Sequence, residues 1–146
     1  EMTDERVTHG MFVTMFIGLL NLKTGRLAFC NAGHNPPVLG GDEAGGTILD
    51  IEPNAPVGLW PELVYVEEEI ACIKGRPLFV YTDGLTEAED ADKQQFGEER
   101  MLETLRHTQF KNSRQVIETL RVEVEKHRNG AEPNDDLTML CLRIDL

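Results

Sequence analysis

Two stretches of the sequence set a carboxylate against the end of a strand. The run Phe79-Val80-Tyr81-Thr82-Asp83-Gly84-Leu85-Thr86-Glu87-Ala88 leads from apolar residues into Thr-Asp-Gly. It reads as a buried strand that ends in a turn with Asp83 at its tip, a rigid place for a metal ligand or a catalytic acid. Near the C-terminus, Asn134-Asp135-Asp136 precedes the strand-like run from Leu137 to Leu142. A carboxylate at the tip of a strand too apolar for a sheet edge needs a partner. No basic residue follows Asp83 within several positions. Hard divalent cations such as Mg²⁺ and Mn²⁺ favour carboxylate and water oxygens. Asp83, Asp135 and Asp136 are therefore candidate ligands of an oxygen-rich metal site. Neither segment has a diagnostic ligand spacing, and Asp-Gly alone is most often an ordinary turn. The inference rests on both segments lying at strand ends.

Other residues carry weaker signals. Glu87, four positions after Asp83, could reach the same strand tip, although a surface turn is the simpler role. His34 stands in Asn31-Ala32-Gly33-His34 just after a strand, where a hydrogen-bonding loop residue is commoner than a ligand. No Cys/His spacing supports zinc. His9 lies near the first residues, and His107 and His127 fall on polar helix faces, with no assigned role. The sequence has no Gly-x-Ser-x-Gly elbow, P-loop or dinucleotide fingerprint. Arg6, Arg26, Arg76, Arg100 and Arg143 are scattered and form no anion clamp.

The elements that must position these groups follow from patterning. Residues 11–22 are β-branched and aromatic and predict a strand. Lys23 to Arg26 turns the chain, and Leu27 to Cys30 returns as a hairpin. Val38-Leu39 and Thr47 to Ile51 are short strands around a Gly-rich loop, Gly40 to Gly46, expected to be a mobile surface connection. A structured loop runs from Pro53 to Pro61. Leu63 to Ile70 predicts a strand with Glu67 and Glu69 facing water. Helices come late: Gly97 to Arg106 puts Met101, Leu102 and Leu105 on one face, and Ser113 to His127 does so with Val116, Ile117, Leu120 and Val124. Asn112 or Ser113 is the expected N-cap, and Asn129-Gly130 the stop. Strands first, then helices, then one closing strand predicts an α+β fold with an antiparallel sheet under helices.

Size and charge narrow the function. A chain of 146 residues is one domain or a large part of one. Its net charge of −12 is spread along the sequence, which disfavours nucleic acid. A phosphoryl substrate stays open, because a bound divalent ion inverts the local field. Met11 to Leu20 is too short to span a membrane, which takes ~20 apolar residues, and it lacks the basic flank of a signal peptide. Cys30, Cys72 and Cys141 each lie in an apolar run, which predicts buried, reduced thiols and a cytoplasmic protein.

Six segments occur in an order that resembles the SpoIIE/RsbU-type serine phosphatases, bacterial members of the metal-dependent type 2C (PPM) protein phosphatases. They are Met11 to Phe16, Asn31 to Pro37, Ala55 to Leu59, Tyr81 to Ala88, Phe96 to Arg100, and Asp135 to Thr138. The resemblance implies a PPM-type β-sandwich with flanking helices and two Mn²⁺ or Mg²⁺ ions in a cleft. It implies in-line attack of water on a phosphoserine or phosphothreonine, which two metals ~3.5–4 Å apart promote. By the same resemblance Asp83 and Asp135 are metal ligands, with Asp136 beside them. His34, Glu87 and Gly84 are candidate contacts to substrate or to a third metal. No catalytic residue is assigned within the chain itself.

One departure from the family pattern matters. The early Asp and the Asp-x-x-Gly-His-Gly motif, which hold and bridge the two metals in the family, are not among these residues. Residues 1–146 therefore correspond to the C-terminal two thirds of a family domain, truncated at its N-terminal side. Three expectations follow: little activity by itself, an exposed apolar sheet surface, and self-association to cover it, making a homo-oligomer a candidate state. The implied function is dephosphorylation of a phosphorylated anti-anti-sigma-like protein in bacterial sigma-factor or stress signalling. An upstream sensor or receiver domain would control it, without nucleic acid or membrane insertion. Two alternatives stand beside it: a degenerate phosphatase kept as a non-catalytic scaffold for a regulatory partner, and an unrelated acidic α+β domain.

Overall fold

The computed structural model describes residues 10–41, 45–108 and 112–145. The chain divides into two compact units, one of residues 1–36 and 50–73, the other of residues 37–49 and 74–146. Among the described residues, each contains one antiparallel sheet. The α+β class expected from the element order is what the chain adopts.

The first unit holds β1 (Met15–Leu20), β2 (Leu27–Ala32) and β5 (Glu68–Ile70), in the order β1-β2-β5. The hairpin forms as the sequence predicts, with Met15 opposite Ala32 and Leu20 opposite Leu27. Its turn is fastened by Asn21, whose Oδ1 accepts from the Lys23 and Thr24 amides, and Gly25 supplies the left-handed residue. Phe16 and Phe29 stack across the pair. The opposite face of β1 is apolar as well, and Met15, Ile17 and Leu19 are exposed there. The strand expected over Leu63 to Ile70 is shorter. Only Glu68–Ile70 pairs, because Tyr65 and Val66 bond instead to the Pro56 carbonyl and the Asn54 side chain. Glu67 and Glu69 do face water.

The second unit holds β3 (Val38–Leu39), β4 (Thr47–Ile48), β6 (Leu78–Tyr81) and β7 (Met139–Leu142), in the order β4-β3-β6-β7. The strand that leads to Asp83 is thus interior, as its apolar composition demands. Three helices follow it: α1 (Asp83–Thr86), α2 (Glu98–Thr108) and α3 (Ser113–Arg128). The faces read from periodicity are the ones buried. Met101 and Leu105 of α2 and Val116, Leu120 and Val124 of α3 join Val38, Phe79, Tyr81, Leu85 and Phe96 in one core cluster. Asn112 caps α3 by accepting from the Gln115 amide, and Asn129, left-handed at φ 49°, ends it. Residues 42–44 of the Gly-rich loop, whose mobility the sequence suggested, lie outside the described residues.

The three cysteines are free thiols, but burial is not uniform. Cys72 is exposed, because the chain bends away just after β5 ends at Ile70. Cys30 and Cys141 are half-buried, and desolvation pushes both thiols above their ordinary range.

Candidate functional site

Strand pairing sets the site. β6 and β7 run antiparallel with Tyr81 opposite Met139. The end of one strand therefore lies beside the start of the other, and Asp83 leaves where Asp135 and Asp136 arrive. One residue past the ladder, Thr82 and Thr138 carry the pairing on. The Thr82 amide donates to the Thr138 carbonyl at 3.1 Å, and the Thr138 amide donates to Thr82 Oγ1 at 3.1 Å.

Beyond that point the backbones touch. Asp83 is the first residue of α1, where the sequence predicted a turn. Gly84 is buried against the Asp136–Leu137 peptide. A Cβ added at Gly84 would lie 1.9 Å from the Asp136 carbonyl oxygen and 3.2 Å from Leu137 Cα. The requirement for glycine here is steric, since the backbone itself must approach. Leu85 and Ala88 anchor the short helix in the core.

Asn134 closes the other side. Its Nδ2 donates to the Glu87 carbonyl at 3.0 Å, and its Oδ1 accepts from the Glu89 amide at 3.2 Å. This residue, read in the sequence only as a neighbour of the Asp pair, ties the Asp135–Asp136 loop to the end of α1. Its signal was an amide next to two carboxylates, which suits bonding two backbone groups at once. Asp135 Oδ1 accepts from the Asp136 amide at 2.7 Å, which shapes the turn.

The structure brings together Asp83, Gly84, Glu87, Asp135 and Asp136 at this strand end. The four carboxylates are exposed and Gly84 is buried. His34 belongs to the first unit, half-buried in the loop after β2. The donor chemistry suits a hard divalent cation. Among the described residues, however, no three His, Cys, Asp or Glu side chains converge as a ready metal cage. A cavity of about 620 Å³ lies elsewhere, lined by Phe96, Arg100, Thr104 and His127 among others, and none of the candidate site residues lines it.

Tyr81 carries the site's electrostatic signature. It is buried at the end of β6, and burial, followed by the Glu98 and Asp83 carboxylates, pushes its phenol up to about 12. His127, given no role from sequence, proves to be a structural tie. Its Nε2 donates to the Gln94 carbonyl, its Nδ1 accepts from Arg100, and its ring meets the Phe96 edge.

The sequence matches the family Stage II sporulation protein E (SpoIIE) over residues 1–145. This chain belongs to the SpoIIE family. Protein IcfG of Synechocystis sp. (strain ATCC 27184 / PCC 6803 / Kazusa) is 31% identical over 133 residues, which are 90% of this chain and 20% of IcfG. The chain thus spans about one fifth of that relative. Among solved structures, the PP2C phosphatase domain of Bacillus subtilis SpoIIE with a fragment of its regulatory domain superposes with a TM-score of 0.73 at 18% identity. That match covers 90% of this chain and 37% of the other. A manganese-presoaked form of the same phosphatase domain gives 0.69 at 19% identity, covering 91% and 56%. The RsbU and RsbW domains of a Mycobacterium tuberculosis protein give 0.63 at 24% identity, covering 91% and 37%. The fold of this SpoIIE-family chain is that of the PP2C phosphatase domains. No helix among the described residues is long and apolar enough to cross a membrane.

Two outcomes test this geometry. Gly84→Ala forces the α1 and Asp136 backbones apart, and overpacking of this kind costs about 1–3 kcal/mol. Urea unfolding should show that loss, and an unchanged midpoint would contradict the contact. Tyr81 supplies a pH test. Its folded pKa is raised, so its contribution to stability is complete below the unfolded value of about 10. That contribution is lost as pH climbs from there through about 12. Tyr81→Phe should lose less stability than the wild type across that window when both are unfolded in urea.

Proposed function

We propose that the chain is the metal-binding part of a metal-dependent serine/threonine protein phosphatase. The observation that carries this reading is the seating of Gly84, the residue after Asp83, on the Asp136–Leu137 backbone. Membership of a family with the PP2C phosphatase fold supports it. Asp83, Asp135 and Asp136 would hold Mn²⁺ or Mg²⁺. Bound there, the ions supply Lewis acidity at phosphoryl oxygens and make water a better nucleophile. The chain's own residues do the positioning. The Thr82–Thr138 bonds, the Gly84 seat and the Asn134 clamp hold the carboxylates in place. Glu87 and Gly84 would contact the substrate or a further ion; His34, which belongs to the first unit, is a candidate substrate contact by the family resemblance alone.

The substrate in this reading is a phosphoserine regulator of the anti-anti-sigma kind, in the cytoplasm of a bacterium. An upstream sensor or receiver domain governs its hydrolysis. Its support is the likeness to SpoIIE, a cell fate determinant, and to a chain that joins RsbU and RsbW domains. The 146 residues alone are expected to turn over little, since the motif that bridges two metals in the family is not among them.

Calorimetric titration of Mn²⁺ into the chain, beside Asp83→Asn, is the test. Binding that disappears in the variant, with phosphoserine hydrolysis gained when the natural upstream sequence is added, is the expected result. A folded, extended protein that neither binds Mn²⁺ nor hydrolyses phosphoserine would replace this reading with the scaffold one.

Self-association is the second proposal of this reading. Among the described residues β1 stands at the end of its three-strand sheet, with Met15, Ile17 and Leu19 exposed by 40%, 60% and 78%. An apolar face on an end strand favours pairing with another copy. Light scattering should show a mass that rises with concentration and falls back in Ile17→Lys. A monodisperse wild-type monomer at working concentration would refute it.

A further inference from the structure

We propose that Asn31 is the positioning residue for His34, fixing its imidazole as the Nδ1–H tautomer with Nε2 as a hydrogen-bond acceptor. Asn31 is buried next to the last residue of β2, with only 5% of its surface exposed. Its Nδ2 donates to the His34 carbonyl at 2.7 Å. That bond orients the amide without ambiguity, because a carbonyl can only accept. Asn31 Oδ1 is then left buried without a partner among the described residues. A buried acceptor with no donor is unfavourable, and an apolar side chain of similar volume would avoid it. What the amide supplies in exchange is the grip on His34.

The rest of the turn is built around the same residue. Gly33 is left-handed at φ 70°, and a Cβ there would lie 2.7 Å from Pro56 Cγ, so the turn is pressed onto the Pro56 ring. Asn35 precedes Pro36, which restricts its backbone to extended conformations and sets the direction of its carbonyl. His34 Nδ1 lies 3.0 Å from that carbonyl. The carbonyl can only accept, so Nδ1 carries a proton, and in the neutral ring Nε2 keeps its lone pair. Free imidazole favours the opposite tautomer, so the turn must hold the ring against its preference. The Nε2 lone pair can then accept an O–H or N–H of a bound phosphopeptide. This use rests on the reading of His34 as a substrate contact; the positioning itself does not.

Long-range proton–nitrogen NMR on the full chain reads the tautomer directly. The wild type should show His34 with a protonated Nδ1 and a bare Nε2. Asn31→Asp keeps the volume but removes the donor, and its His34 should move to predominantly Nε2–H while the melting curve stays cooperative. If Asn31→Asp does not fold, Asn31→Ala, which has no side-chain donor, serves in its place with the same expectation. A wild-type His34 already protonated at Nε2 would overturn the inference. So would a folded variant whose tautomer is unchanged, because a purely structural Asn31 lowers stability without altering the ring. A tautomer that moves in a chain whose upstream-extended form neither binds Mn²⁺ nor hydrolyses phosphoserine would support the positioning and remove the phosphatase reading.

Discussion

The close approach of two backbones at Gly84 is the constraint on which the site depends. Antiparallel pairing of β6 and β7 would by itself bring the two acidic segments to one end of the sheet. It would not fix their separation, because chains diverge once a ladder ends. Here Thr82 and Thr138 extend the pairing by one step, and the α1 backbone then rests on the Asp136–Leu137 peptide with no room for a Cβ. Asp83 is therefore placed by main-chain contact, while Leu85 and Ala88 hold the helix from the core side. A carboxylate placed by backbone contact is better preorganised than one placed by a long side chain in a loop.

This arrangement gathers like charge in a chain that already carries −12. Asp83, Glu87, Asp135 and Asp136 are exposed, so water screens their charges. Nearby, burial first, then the carboxylates of Glu98 and Asp83, hold the Tyr81 phenol above its ordinary range. A divalent cation would reverse the sign of that field, as ions do in oxygen-ligand sites. The geometry thus combines rigid placement of the main chain with side chains left open to solvent, and ion binding needs both features.

Much of this was legible in the sequence, and the failures have physical causes. The strand before Asp83 was recognisable because it is buried on both sides in the sheet, so its residues are uniformly apolar. The helical faces were legible because Met101, Leu105, Val116, Leu120 and Val124 repeat at helical spacing. The segment from Leu63 to Val66 alternates like a strand but spends its backbone and side-chain bonds on Asn54 and Pro56, and periodicity cannot reveal such a competitor. The α1 turn was hidden because four residues are too few for a helical pattern. Asn134 and His127 were under-read for a common reason: each acts by bonding backbone groups far away in sequence, and nothing local marks those partners.

His127 shows how far the bracing of the site extends. Its Nε2 faces the Gln94 carbonyl and must donate, so its Nδ1 can only accept from Arg100. One neutral ring therefore joins α2, α3 and the segment between α1 and α2. Within that segment the Asp90 carboxylate accepts from the Asp92 and Gln94 amides, and chiefly the Gln94 bond draws it below the usual carboxylate range. The same segment begins at Glu89, whose amide is held by Asn134 beside the Asp pair. The loop leaving the acidic site is thus fastened at its start by Asn134 and further along by a histidine on the last helix.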